Sequence, residues 1–129
     1  MKQKEKRILI LDDAATVRLF ERTILSEAGF HVDEAINGSE AIEKILLNGH
    51  YDLYLVDINM PKMDGYSFMK ELRSMEIDQA PALMVSTESE EFDREQAFRA
   101  GANYYLTKPI KPEVLLTYVR ILLGIGGTR

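Results

Sequence analysis

The stretch Leu53-Tyr54-Leu55-Val56-Asp57 decides how this chain is read. Its four consecutive apolar residues do not alternate with polar ones, as a strand with one wet face would, and they read as a strand covered on both faces. Strands of that kind belong to parallel sheets with helices on either side. The run ends on a carboxylate, which places Asp57 at the carboxyl edge of such a sheet.

Working outward, two further apolar runs end on charged residues. Ile8-Leu9-Ile10-Leu11 stops at Asp12-Asp13, and Tyr104-Tyr105-Leu106 leads through Thr107 to Lys108-Pro109. Short apolar runs alternate with helical patterns along the whole chain, the signature of repeated βα units. Strands are expected at about residues 7–12, 31–36, 52–57, 81–86 and 103–107, and helices at about 14–28, 38–48, 65–75, 89–100 and 112–123. The segment His31-Val32-Asp33-Glu34-Ala35 mixes polar and apolar residues like an edge, so the second strand is expected on the outside. Asn37 and Glu40 are spaced as a capping box, Gly29, Gly49, Gly101 and Gly124 stand where helices end, and Pro112 suits a first helical position behind a poorly capping Lys111. The fold class is α/β, a doubly wound parallel sheet of five strands.

Composition agrees with that architecture. A chain of 129 residues that is 46% hydrophobic fits one domain with a core on both faces of a sheet. The expected division is a basic tail at 1–6, the domain at 7–124 and a Gly-rich tail at 125–129; the segment after Lys108 leaves room for one helix and no output domain. Zero cysteines exclude disulfides and thiolate metal sites, and a net charge of -5 argues against a surface that neutralises nucleic-acid phosphates. No apolar run reaches the roughly 18 residues of a membrane span, and the polar start lacks a signal core, so a cytoplasmic location with no membrane partner is expected. His31 and His50 read as ordinary loop or strand-start residues.

In open α/β sheets, ligands bind beyond the carboxyl ends of the strands. Asp12, Asp13, Asp57, Ser86 and Lys108 all fall there. Each alone is an ordinary cap or turn residue. Together they are not, because three crowded carboxylates repel one another unless a cation or a function compensates. The set suits a hard cation and a phosphoryl group.

The motifs Asp12-Asp13, Asp57-Ile58-Asn59-Met60-Pro61-Lys62-Met63-Asp64-Gly65, Leu83-Met84-Val85-Ser86-Thr87 and Ala100-Gly101-Ala102-Asn103-Tyr104-Tyr105-Leu106-Thr107-Lys108-Pro109 occur in this order. Over about residues 6–124 the chain thereby resembles a response-regulator receiver domain, specifically the stand-alone chemotaxis CheY type. The resemblance implies a flavodoxin-like (βα)5 fold with strand order 2-1-3-4-5. It implies that Asp57 takes a phosphoryl group from the phosphohistidine of a histidine kinase or phosphotransfer protein. Mg²⁺, with Mn²⁺ as a substitute, would be held by Asp13, Asp57, the backbone carbonyl of Asn59 and water, with Asp12 acting through a coordinated water. Lys108 and the Ser86 hydroxyl would meet phosphoryl oxygens. Ser86, rather than Thr87, matches the family's switch hydroxyl, and Tyr105 matches the switch aromatic that turns inward, with Tyr104 facing the opposite side. Asn59 and Glu88 match positions that border the hydrolytic water, and their types resemble the chemotaxis member, which implies a short-lived phosphoryl state. Lys108-Pro109 matches the family's cis peptide. The domain would catalyse its own phosphorylation and dephosphorylation as a signalling protein, with a flagellar motor switch protein or another signalling protein downstream.

Three other classes fit less well. A haloacid-dehalogenase-type phosphatase needs a second Asp where this chain has Asn59. A flavodoxin-like cofactor binder needs a hydroxyl- and Gly-rich loop where Asp12-Asp13-Ala14-Ala15 would repel phosphate. A phosphorylation-independent scaffold usually lacks an acidic or Lys position, and here all are present. In the last helix, Leu115, Val119 and Leu122 form one buried stripe, while Leu116, Tyr118, Ile121 and Leu123 fall outside it. Tyr118 and Ile121 near Tyr105 are therefore expected to form an apolar surface, gated by Asp57, for a partner or a phosphorylation-dependent homodimer.

Overall fold

A computed structural model describes residues 5–60, 63–87 and 91–125. The five strands are β1 (Arg7–Leu11), β2 (His31–Ala35), β3 (Leu53–Asp57), β4 (Ala82–Ser86) and β5 (Tyr104–Thr107). Between and after them run α1 (Ala15–Glu27), α2 (Gly38–Asn48), α3 (Gly65–Ser74), α4 (Glu91–Ala100) and α5 (Pro112–Leu123). All strand pairs are parallel, in the order β2-β1-β3-β4-β5. The expected elements are present within two residues at each described boundary, and β2 lies at the edge.

Strand residues alternate between two cores, because successive side chains of a strand point to opposite faces. Leu9, Tyr54, Val56, Met84 and Tyr105 face α2, α3 and α4, where they meet Ile45, Phe68, Leu72 and Ala97. Ile8, Ile10, Leu53, Leu55, Leu83 and Val85 face α1 and α5, packing on Leu25, Leu115 and Val119. Both faces of β3 are buried throughout, which is why its sequence shows no alternation.

The helix ends follow their local chemistry. Asn37 Oδ1 accepts from the Glu40 backbone N–H at 2.8 Å, and Glu40 Oε1 accepts from Ile36 N–H at 2.7 Å, two donors satisfied reciprocally at the start of α2. Asp64 caps α3 through Ser67 N–H at 2.9 Å. Lys111 makes no side-chain cap, as expected, and Pro112 opens α5 behind it. At Gly101 the backbone has φ 115°, and a Cβ there would lie 2.6 Å from Arg73 Cγ, so conformation and space both require glycine. The Arg73 guanidinium uses that space to donate to the Gly101 carbonyl and to Asn103 Oδ1. His31 and His50 sit beside Asp33 and Asp52 near the amino ends of the strands, away from the carboxyl edge.

Gly65 sets how closely α3 approaches the end of β3. A Cβ at this position would come within 2.7 Å of the Asp57 carbonyl oxygen and 2.8 Å of Ile58 Cα, both backbone atoms that cannot swing aside. Gly65→Ala should therefore destabilise the fold by about 1–3 kcal/mol, read as a lower midpoint in thermal or urea unfolding. An unchanged midpoint would show that the contact relaxes without cost.

Candidate phosphoryl and cation site

The alternation that builds two cores also sorts the polar residues at the carboxyl edge. Continuing the parity of Ile8 and Ile10 puts Asp12 on the α1/α5 side, and Leu53 and Leu55 do the same for Asp57. Tyr104 and Leu106 pack on that core too, so Lys108 continues their side. Ser86 continues Met84 and belongs with Tyr105 on the other side. Acid, base and hydroxyl thus reach one edge from two faces.

Lys108 Nζ lies 3.0 Å from Asp57 Oδ1 and 3.5 Å from Asp12 Oδ2. Asp12 and Asp57 are buried, whereas Asp13 is exposed. Burial pushes the Asp57 carboxyl above its ordinary range, and the neighbouring Asp12 charge pushes the same way, against the pull of Lys108. Burial pulls the Lys108 ammonium down, but its hydrogen bond to Asp57 and the surrounding acids hold it above the usual lysine value. Local geometry fixes Asp12: its Oδ1 accepts from Ala14 N–H at 2.9 Å in the turn that leads into α1.

One carboxylate oxygen from each of Asp12, Asp13 and Asp57 lies within 4.8 Å of the others. Asp12 Oδ2 is buried without a hydrogen-bond partner. A group of all-oxygen donors, one of them held only by the 3.5 Å ion pair to Lys108, fits a hard divalent cation of the Mg²⁺ or Mn²⁺ class.

Ser86 Oγ donates to Asn59 Oδ1 at 3.1 Å, so these two residues, from β4 and the loop after β3, meet directly. Asn59 itself is exposed. The Lys108-Pro109 peptide bond is cis. Glu88 lies outside the described residues.

The expected surface of Tyr105, Tyr118 and Ile121 requires correction. Tyr105 is 1% exposed in the α2/α3/α4 core, with the Arg94 guanidinium 5.6 Å from its ring centre. Tyr118 lies on the opposite side of the sheet, stacked on Tyr104 with ring centres 4.5 Å apart. Leu116 and Leu123 also pack on the α1/α5 core, widening the buried face of α5. A helix beside an edge strand covers it with a broader stripe than three residues. Ile121 alone of the four is fully open, at 61% exposure.

Glu21 is the site residue that sequence reasoning missed. It stands one turn before Leu25 on α1, so the two share the core-facing side, and Glu21 is 3% exposed. A lone Glu in a helical pattern is ordinarily assigned to solvent; the signal was its i, i+4 relation to a core leucine. It lines a cleft of about 450 Å³ with Val17, Phe20, Lys108, Pro109 and Ile110. Burial, helped by the charges of Asp12 and Asp57, raises its carboxyl to about 8. Between about pH 4.5 and 8 the folded chain therefore holds a proton that the unfolded chain has released, so stability falls as pH rises through this window. Glu21→Leu should be more stable than the parent, and the gain should grow by on the order of a few kcal/mol between the two ends of that range, measured by urea unfolding. A gain that stays constant with pH would contradict the buried, protonated state.

Comparison with known proteins bears on the family and the fold. The model of the response regulator receiver domain matches residues 8–120. Transcriptional regulatory protein ResD of Bacillus subtilis is 39% identical over 92% of this chain, which spans 48% of ResD. Chemotaxis protein CheY1 of Helicobacter pylori is 35% identical over 92% of this chain and 97% of its own length. The structure of Vibrio cholerae chemotaxis protein CheY4 superposes with a TM-score of 0.87 at 31% identity, covering 92% of this chain and 99% of that one. A family match over most of its length, on a five-stranded sheet of the same kind, places this chain in the response regulator receiver domain family.

Proposed function

We propose that this chain is a phosphoryl-operated switch in which Asp57 is the acceptor and the state of the carboxyl edge sets the α4, β5 and α5 face for partner binding. Receiver domains are signalling components of two-component systems and interact with histidine kinases or phosphotransfer proteins. The observation that carries the proposal is the convergence of Lys108 with Asp57, Asp12 and Asp13. An Asp57 carboxylate oxygen attacks the phosphorus of a donor phosphohistidine, the P–N bond breaks, and its electron pair returns to the imidazole. Lys108 leaves Asp57 to pair with a phosphoryl oxygen, and the Ser86 hydroxyl turns from Asn59 to donate to another. Mg²⁺ would be held by Asp13, Asp57 and the Asn59 backbone carbonyl, with Asp12 acting through a water, and would supply positive charge against the phosphoryl oxygens. Asn59, together with Glu88 by its sequence position alone, would tune the water that later hydrolyses the acyl phosphate, so that the domain turns itself off.

Movement of Ser86 links the site to Tyr105, which β4 and β5 place on the same face. Ile121 on α5 and Phe92 and Phe98 on α4, exposed at 61%, 70% and 47%, are apolar residues available to a partner or a second copy. Chemotaxis is the favoured pathway, with a flagellar motor switch protein as the class of target, because CheY1 is matched over 97% of its length. The 39% identity to ResD supports a second reading, a receiver for another phosphorelay output. None of the described helices is long and apolar enough to cross a membrane.

Acetyl phosphate with Mg²⁺ should label the protein covalently, labelling should cease on chelation, and Asp57→Asn should abolish it. Label that persists in Asp57→Asn would move the acceptor elsewhere. Ile121→Lys should leave labelling intact and weaken phosphorylation-dependent association in sedimentation; an unchanged association would remove Ile121 from the surface.

A further inference from the structure

Glu21 has no ordinary reason to be where it is. Its position on α1 faces the core beside Leu25, where an apolar side chain would pack without cost, and a buried carboxyl without compensation is destabilising. Among the described residues no hydrogen bond or ion pair reaches its carboxyl, while Asp12, Asp57 and Lys108 are near enough to act on it electrostatically. Glu21 and Lys108 line the same cleft, between α1 and the turn after β5.

The cation site creates a conflict that this placement resolves. Lys108 Nζ is seated at 3.0 Å from Asp57 Oδ1 and 3.5 Å from Asp12 Oδ2, on two of the three carboxylates that a divalent cation would use. A dication and an ammonium on the same two carboxylates repel strongly where water is scarce. Moving the ammonium into solvent would strip the buried acids of their counter-charge. Resting on the function proposed for Asp57, we infer that Glu21 is a positioning residue that gives the Lys108 ammonium a second seat when a divalent cation occupies Asp12, Asp13 and Asp57. The arriving ammonium favours the ionised carboxylate, so the proton that Glu21 holds in the cation-free chain is released to solvent. The four-carbon stem of Lys108 supplies the freedom to change partners, and the cleft they share supplies the room. Lys108 then stays close to the site, poised to return when a phosphoryl group brings new oxygens.

The test is a double-mutant cycle on Mn²⁺ affinity, measured by electron paramagnetic resonance of free Mn²⁺ on the intact chain, with melting curves to establish that each variant is folded. Glu21→Gln should weaken Mn²⁺ binding by about fivefold when Lys108 is present and by less than about twofold in a Lys108→Met background. Glu21→Leu, which packs as a core residue, should reproduce the same pair of results. Equal losses in both backgrounds would mean that Glu21 acts as a plain negative charge, and no loss in either would mean that it is merely a packed side chain; both overturn the inference while leaving acetyl phosphate labelling of Asp57 untouched. Failure of the parent to bind Mn²⁺ would overturn the cation site and the inference together.

Discussion

The ion pair between Lys108 and Asp57 is the constraint on which the carboxyl edge depends. It joins the turn after β5 to the central strand β3 across a cluster holding Asp12, Asp13 and Glu21 as well, with one ammonium among them. Such a cluster is strained by construction: its acids are near one another, two strand-end carboxylates are buried, and one Asp12 oxygen has no hydrogen bond. Like charges held together by a well-packed sheet favour whatever cation or charge-neutralising chemistry arrives. Packing in the two cores supplies the stability that this arrangement spends.

Strand alternation gives the site its two halves. Asp12, Asp57 and Lys108 continue the residues that pack on α1 and α5, whereas Ser86 and Tyr105 continue those that pack on α2, α3 and α4. On the proposed function, an event at Asp57 would pass from one face of the sheet to the other through its carboxyl edge, where Ser86 already meets Asn59. Tyr105 is buried on the face toward α4, so a change in its packing would be felt by that helix rather than by Tyr118, which is committed to Tyr104 on the opposite side.

Most of this was legible in the sequence because it depends on short-range rules. Unbroken apolar runs marked the central strands, glycines at positive φ marked the helix ends, and charged residues directly after strands marked the edge. The motif from Asp57 to Gly65 carried its own reason, since Gly65 must let α3 approach the β3 backbone. Less legible were features set by packing between elements. Tyr118 was placed on the surface because its partner, Tyr104, belongs to the preceding strand β5, and the period of α5 alone does not show which of its side chains that strand covers. Glu21 was passed over because charge outweighed periodicity, although its spacing from Leu25 marked it as inward-facing.

The central claim is that Asp57 accepts the phosphoryl group while Lys108 changes partner. A crystal structure of the chain with Mg²⁺ and beryllofluoride tests both parts at once. The account predicts beryllium bonded to an Asp57 carboxylate oxygen, the metal among Asp12, Asp13 and Asp57, and Lys108 Nζ moved from Asp57 onto a fluoride. Beryllofluoride on another residue, or Lys108 still paired with Asp57 while the adduct is in place, would contradict it.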